Sequence, residues 1–533
     1  MPSRSLRVAV IGAGAAGLVA ARELRREGHA PVVFERSDGV GGVWVYDDDA
    51  SASLDPLGTR PSNLYASLRT NLPRECMGFL DFPFAAAGPD DDPRRFPGHA
   101  EVLRYLRDFA RRFDLHGLVR FETEVIRVTR EAAASWRVRY SRKLAGSEQC
   151  EAEEVFDAVV VCNGHYSQPH LADIPGIDAW PGKQLHSNSY RVPEPFHGQV
   201  VVVIGYSASG KDISRDLAGV AKEVHVASRS APAATCERLP GHHTDLNLWL
   251  HSMVDRAEED GSVVFQDGSR VKADVIIHCT GYKYSFPFLG DDSTISVDDN
   301  RVGPLYKHVF PPRVAPQLSF IGLPLKVIPF TLFELQSSWV AGVLSGRIEL
   351  PSEEEMARDV MALYADLAAR GWPRRYTHDL RDDEFEYEDW LAGQCRRDKI
   401  EDWRKEMLDA TLEDSAELHG SHRDMWDSGD RDHLLAQPSR EFAEYFSAAL
   451  RPWYMHCSQK TKNNAPCFAL FAVCKDTHKG NFSLGFPEIT SQISAELPIQ
   501  NLIILFELGP SNERSTKILL AVVIAYTEGG ERS

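Results

Sequence analysis

The stretches "VAVIGAGAAGLVAAREL" (residues 8–24) and "VVVIGYSASGKDISRDL" (residues 201–217) share one plan. Each is an apolar, β-branched run, then a glycine cluster, then a pattern with helical spacing. The apolar run suits a strand buried on both faces, as in a parallel sheet. Strand, glycine turn and helix in that order start a Rossmann-like βαβ unit, whose turn and helix N-terminus receive a pyrophosphate.

In the first stretch the pattern G-x-G-x-x-G is complete. Gly12 permits the tight turn, Gly14 lets backbone approach a pyrophosphate, and Gly17 lets helix and strand pack closely. The helix is expected to end near Gly28, a C-cap residue. A second strand, "PVVFE", ends in Glu35, 23 residues after Gly12. A carboxylate there accepts hydrogen bonds from ribose hydroxyls. The loop "GVGGVW" follows, with Gly39, Gly41, Gly42 and Trp44, and its glycines let backbone pass beside another part of the same cofactor.

The second stretch departs from the pattern at its middle position, where Ser207 stands between Gly205 and Gly210. It is not a G-x-S-x-G nucleophile elbow, because Ser209 occupies the place of the last glycine. Counting 23 residues from Gly205 reaches Ser228, with Arg229 beside it. A carboxylate there would repel a 2′-phosphate, whereas a hydroxyl and a guanidinium would bind it. The two turns therefore predict different nucleotides: FAD on the first, through Glu35, and NADPH on the second, selected by Ser228 and Arg229.

Composition narrows the alternatives. The chain has 533 residues, 43% hydrophobic and 26% charged, ordinary for a globular protein of two to four domains. A formal net charge of −18 repels nucleic-acid backbones. Nine scattered cysteines without a C-x-x-C argue against a disulfide framework, a zinc site or a redox dithiol. No metal site is expected, and "GHHTDLN" (241–247) reads as a loop. The basic, apolar N-terminus imitates a signal peptide, but its spaced glycines fit strand, turn and helix better. No apolar run reaches the ~18 residues of a membrane span. The expected location is cytoplasmic.

Between the turns, "AWPGKQLHSNSYRVPEPFHGQ" (179–199) resembles the FxGxxxHxxxY signature of flavin-containing monooxygenases. Gly182, His186 and Tyr190 are in register, and Trp180 replaces the usual Phe. "SLRTNLPRECMGFLDFPF" (67–84), "CTGYKYSFPFL" (279–289) and "FELQSSWVAGVLSGRIELP" (333–351) resemble segments of the same family. The likeness spans roughly residues 6–450 and is strongest to plant S-oxygenating members, the kind that includes glucosinolate S-oxygenases. It implies an NADPH- and O2-dependent flavoprotein monooxygenase. Hydride passes from NADPH to FAD, a C4a-hydroperoxide forms, and a thioether sulfur or amine nitrogen takes one oxygen. By the same resemblance Asn71, in "RTNLPRE", matches an asparagine beside the flavin, the one catalytic candidate. His186 is expected to anchor the link between the nucleotide domains, and His165 to be structural.

The expected architecture is α/β, with two Rossmann-like dinucleotide-binding domains and the NADPH domain inserted in the FAD domain. The FAD domain's first part covers 1–195, the NADPH domain 196–283, and the FAD domain's second part, with a helical region, 284–455. Ser352 and Glu355 mark a capping box for a helix closed by Gly371. The acidic run "RDDEFEYED" (381–389) is expected to face solvent. From 456 to 533 arginine nearly vanishes and the resemblance stops, so an atypical tail without functional folding is expected. Two other classes compete. A flavin disulfide reductase needs a dithiol that the sequence lacks. A non-catalytic nucleotide-binding relative would purify without a flavin spectrum. Among oxygenases, Baeyer–Villiger relatives usually carry Trp where Tyr190 stands, and auxin-forming relatives carry a different segment at 69–75. The substrate and the oligomeric state are not written in the sequence.

Overall fold

The computed structural model describes residues 5–47, 55–59, 62–85, 91–131, 135–143, 149–239, 247–290, 294–417, 422–426, 434, 438, 469–475, 482–485 and 519–524. The chain divides into two units, Met1–Asn71 with Gly98–Ile400, and Leu72–Pro97 with Glu401–Ser533.

In the larger unit, β1 (Arg7–Ile11) runs through the first glycine turn into α1 (Ala15–Arg26) and β2 (Ala30–Phe34). Gly28 ends α1 with φ +88°, and His29 N–H reaches back to Leu24 O. After α2 (His99–Arg112) and β3 (Val119–Arg120) come three antiparallel strands: β4 (Thr123–Arg130), β5 (Trp136–Lys143) and β6 (Gln149–Phe156). Strand β7 (Ala158–Val161) then returns beside β1. The insertion holds β8 (Lys183–His186), β9 (Val200–Ile204), α3 (Ala208–Ala218), β10 (Glu223–Ala227), β11 (Cys236–Arg238), β12 (Leu248–His251) and β13 (Val275–His278). The chain comes back as β14 (Leu318–Phe320), α4 (Pro329–Leu344), α5 (Glu353–Ala369) and α6 (Glu384–Cys395).

Two sheets result. The first has the order β14-β7-β1-β2-β3, all neighbours parallel. Because β14 pairs with β7, the chain completes its first sheet only after building the second. The second has the order β11-β12-β10-β9-β13-β8, parallel except at β11. Strands β1, β7, β9 and β13 are almost wholly buried, as their unbroken apolar runs require.

Three expectations need correction. The second lobe begins before residue 196, since β8 is its edge strand and Trp180 sits in its core with Val202 and Ile276. "KQLH" is too polar to read as a strand, but an edge strand is paired on one side only. Residues 72–97 do not group with the FAD domain's first part, nor 401 onward with its second. They form the other unit together, where Arg404 Nη1 donates to Cys76 O at 3.0 Å. Pairings of such sequence separation leave no local pattern. Finally, the run 381–389 is only partly solvated. Glu384 and Glu388 are 1% and 0% exposed, on the α6 face that also buries Tyr387 and Leu391. The Glu384 carboxylate accepts from Ile328 N–H.

The capping box is present, with Ser352 Oγ accepting from Glu355 N–H and the Glu355 carboxylate from Ser352 N–H. Helix α1 packs on α4 around a buried ion cluster. Arg22 (1% exposed) meets Glu23 at 2.8 Å and Glu334 at 3.1 Å, and Arg397 meets Glu334 at 2.7 Å. In the smaller unit, strands Ala469–Lys475, Phe482–Gly485 and Leu519–Ile524 pair antiparallel, the first in the centre. The rest of 456–533 and residues 241–246 of the His-rich stretch lie outside the described residues.

Candidate functional site

The site candidates gather on two turns with one geometry. Strands β1 and β2 pair from Arg7↔Ala30 to Ile11↔Phe34, and β9 and β10 from Val200↔Glu223 to Ile204↔Ala227. Gly12 and Gly205 both have φ +101°, a region that favours glycine. Gly12 N–H bonds Phe34 O and Gly205 N–H bonds Ala227 O, each at 2.8 Å. A Cβ at Gly12 would stand 2.5 Å from Cys162 O, and one at Gly205 2.4 Å from Cys279 O. At Gly17 it would stand 1.8 Å from Gly12 O, and at Gly210 2.0 Å from Gly205 O. Both turns admit only hydrogen at these places, and α1 and α3 start directly behind them. Cys162 and Cys279 are the matching buried thiols at the ends of β7 and β13. Burial pushes Cys279 up to about 12, so they pack and do not react.

The turns differ in what closes them. Glu35, 6% exposed, accepts from Ala13 N–H at 2.7 Å and from Ser37 N–H at 2.8 Å. Its carboxylate holds the turn and keeps further lone pairs for hydroxyl donors. Gly41 N–H bonds Ala13 O at 3.0 Å, and a Cβ on Gly42 would lie 2.9 Å from Gly14 Cα. Gly14 and Gly42 thus lie face to face, and the loop through Trp44 backs the first turn.

On the second turn Ser228, 4% exposed, meets Ser230 among the described residues: the two Oγ atoms lie 2.9 Å apart, and Ser228 Oγ accepts from Ser230 N–H at 3.3 Å. Tyr206 stands where Ala13 stands in the first turn, and its N–H meets no acceptor among the described residues. Ser207 and Arg229 are exposed, and Ser207 makes no side-chain cap. One turn has a buried carboxylate acceptor; the other has an open N–H, hydroxyls and a guanidinium. The first suits ribose hydroxyls and the second a phosphate.

Asn71 is exposed, and its amide makes no hydrogen bond among the described residues. It joins neither turn directly. His186 is fully buried at the end of β8. Its Nδ1 accepts from Asn188 N–H at 3.2 Å, leaving Nε2 to donate to Gly281 O at 3.0 Å. That arrangement is the neutral ring, and burial lowers its pKa. The same segment reaches the other lobe, with Asn188 Nδ2 on Gly58 O, Ser189 Oγ on Pro56 O and Arg191 on Ser62 O and Asp47 O. A Cβ on Gly182 would strike the Trp180 ring at 2.2 Å, which explains the glycine of that motif. His165 follows β7, its ring centroid 5.2 Å from that of Tyr284. Burial lowers it to about 4.

Sequence reasoning missed the acidic face of α3. Tyr65 donates to Asp212 at 3.0 Å, and Ser67 and Tyr190 both donate to Asp216 at 2.8 Å. It also missed Thr331, buried near the start of α4 with an unpartnered hydroxyl among the described residues. No single-sequence signal pairs residues so far apart. Among the described residues no His, Cys, Asp and Glu group could hold a metal, and no helix is long and apolar enough to cross a membrane.

Residues 5–243 and 237–395 match the family model described as flavin-binding monooxygenase-like. The chain is 56% identical over 461 residues to flavin-containing monooxygenase FMO GS-OX-like 2 of Arabidopsis thaliana, covering 84% of this chain and 96% of that protein. It is also 56% identical over 445 residues to FMO GS-OX5 of the same plant, covering 82% and 95%. The solved S-allyl-L-cysteine S-oxygenase of Allium sativum superposes with a TM-score of 0.78 at 53% identity, covering 83% and 99%. Tmm of Pelagibacter superposes at 0.63 with 26% identity, covering 76% and 90%.

Proposed function

The chain belongs to the flavin-binding monooxygenase-like family, and within it we propose that this enzyme oxygenates thioether sulfur, in small S-alkyl cysteine-type compounds, to the sulfoxide. It is an FAD-dependent monooxygenase that uses NADPH and O2. The observation that carries the reading is the pair of glycine turns, alike in backbone and opposite in what they offer a ribose. The thioether class rests on the solved S-oxygenase at 53% identity. Amine nitrogen is the second soft nucleophile in view.

The overall step balances: thioether, dioxygen, NADPH and a proton give sulfoxide, NADP+ and water, one of each. Bound FAD supplies the reducible ring that takes hydride and activates oxygen, and the polypeptide binds, orients and shields. Gly12, Gly14 and Gly17 with the start of α1 receive the FAD pyrophosphate. Glu35 holds the FAD ribose and fixes its own turn, and Gly42 and Trp44 line the flank. Gly205, Ser207 and Gly210 receive the NADPH pyrophosphate, and Ser228 and Arg229 its 2′-phosphate. Asn71 presents an exposed amide without a partner among the described residues, able to donate to an oxygen of the reacting centre. His186, neutral and buried, moves no proton; it fixes its segment on Gly281 O, and Asn188, Ser189 and Arg191 of that segment reach the first lobe. No side-chain acid–base pair is required, and none is assigned. A cytoplasmic location agrees with this account.

Purified protein should be yellow. It should consume NADPH with S-alkyl cysteines, forming sulfoxide, while hydrogen peroxide is counted separately. N-oxide formation from amines without sulfoxide would replace the thioether reading. A colourless protein would favour a non-catalytic nucleotide binder.

A further inference from the structure

The loop 65–68 leads to Asn71 and is moored to the helix behind the second nucleotide turn. Asp212 and Asp216 are four residues apart on α3, so they share a face. Asp212 accepts from Tyr65 Oη at 3.0 Å. Asp216 Oδ2 accepts both Ser67 Oγ and Tyr190 Oη at 2.8 Å. Tyr65 and Tyr190 are buried in the second lobe's core, with ring centroids 5.8 Å apart. On the other side, His99 N–H bonds Leu68 O at 3.2 Å and Arg69 bridges Gly98, which ties the segment to the first lobe. Between these moorings Ala66 and Ser67 are exposed, and Asn71 follows, exposed and with no amide partner among the described residues.

From these contacts we infer that Asp216 is a positioning residue, coupling occupancy of the second nucleotide turn to the placement of Asn71. The inference rests on the proposed NADPH turn and on Asn71 at the reacting centre. Helix α3, 11 residues long, starts at the turn that receives the pyrophosphate, with Ser207 at its N-cap. A nucleotide that fixes its N-terminus fixes the carboxylates farther along the same helix. Ser67 is bound to one of them, four residues before Asn71. Coupling of this kind is reciprocal, so a loop freed from Asp216 should also weaken nucleotide binding.

The test is amide hydrogen exchange of the oxidised, FAD-loaded enzyme with and without NADP+. In the wild type, saturating NADP+ should slow exchange of residues 66–71 at least several-fold. In Asp216→Ala that protection should be lost while flavin content stays normal. Ser67→Ala removes one exposed hydrogen bond and serves if Asp216→Ala folds poorly; it should lose part of the protection. Product formed per NADPH should fall in Asp216→Ala, with peroxide making up the difference. In an Asn71→Ala background Asp216→Ala should add no further loss, whereas a merely structural role would multiply the two defects. NADP+ binding without protection of 66–71, or undiminished protection in both Asp216→Ala and Ser67→Ala, overturns the coupling alone. Failure of the wild type to bind NADP+ overturns it together with the proposed function.

Discussion

The first and second nucleotide turns share strand register, the φ of their leading glycine and the clash that each glycine avoids. They part inside the turn, where Tyr206 and Ser207 replace Ala13 and Gly14, and at the end of the next strand, where Ser228 replaces Glu35. Glu35 gives two backbone N–H groups their acceptor, whereas Ser228 accepts one, Ser230 N–H at 3.3 Å, and Tyr206 N–H meets no acceptor among the described residues. On the proposed reading, backbone geometry makes a dinucleotide site and the side chain at the end of the second strand selects the dinucleotide. A carboxylate closes its own turn and rejects a 2′-phosphate. A hydroxyl leaves the turn open for one.

The strongest way to break this comparison is to fill each turn. Gly17→Ala puts a methyl 1.8 Å from Gly12 O, and Gly210→Ala one 2.0 Å from Gly205 O. Backbone must move in both. Gly17→Ala should lose FAD, read as flavin absorbance per chain. Gly210→Ala should keep FAD and lose NADP+ affinity by about 100-fold or more, near 2.7 kcal/mol. Loss of flavin from both variants would mean that the turns do not hold separate nucleotides.

A milder change tests the acceptors. Glu35→Ala leaves Ala13 and Ser37 N–H groups without their partner, at about 1–3 kcal/mol for each donor that stays buried and dry. Ser228→Ala takes the acceptor from one backbone donor only, Ser230 N–H at 3.3 Å beside an exposed residue where water can replace it, and should cost less than Glu35→Ala. Thermal unfolding of the two variants compares them directly; equal losses would contradict the asymmetry.

Arg229→Ala probes selectivity rather than folding, because the side chain is exposed. Loss of a charge-assisted bond of about 1.5–3 kcal/mol should raise KM for NADPH roughly 10- to 100-fold, with KM for NADH nearly unchanged. Equal rises for both would remove Arg229 from the 2′-phosphate site.

Much of this comparison was legible in the sequence because it is local. Gly12 to Glu35 and Gly205 to Ser228 each lie within one βαβ unit, where spacing along the chain sets spacing in space. The same locality made the capping box at Ser352 readable. What escaped lies far apart in the chain or depends on the facing surface. Glu384 and Glu388 read as solvated because acidic residues usually are, yet helical periodicity puts them on the buried face of α6. Strand β8 escaped because an edge strand can stay polar. The Ser67–Asp216 bond joins residues 149 positions apart, and no pattern within either segment announces it.

A last comparison concerns the strands behind the turns, and it shows only as pH falls. His278 ends β13 where Val161 ends β7, each paired with the last residue of the strand carrying its turn. His278 is 1% exposed; its Nδ1 accepts from Ala172 N–H at 3.3 Å, and Nε2 lies 3.3 Å from Gln184 Oε1. Burial first, then the neighbouring His186, lowers it to about 4. In the unfolded chain the ring titrates near 6.5, so below that pH the unfolded state takes up the proton first. Its share of stability is therefore complete above about pH 6.5 and lost as pH falls toward 4, at up to about 1.4 kcal/mol per pH unit. His308, also lowered to about 4, acts in the same direction in the first lobe. His278→Val gives the second lobe the first lobe's residue and should remove one proton's worth of that slope. The check is denaturant unfolding from pH 7 to 4.5. An unchanged slope in His278→Val would show that this ring is not the group taking up the proton.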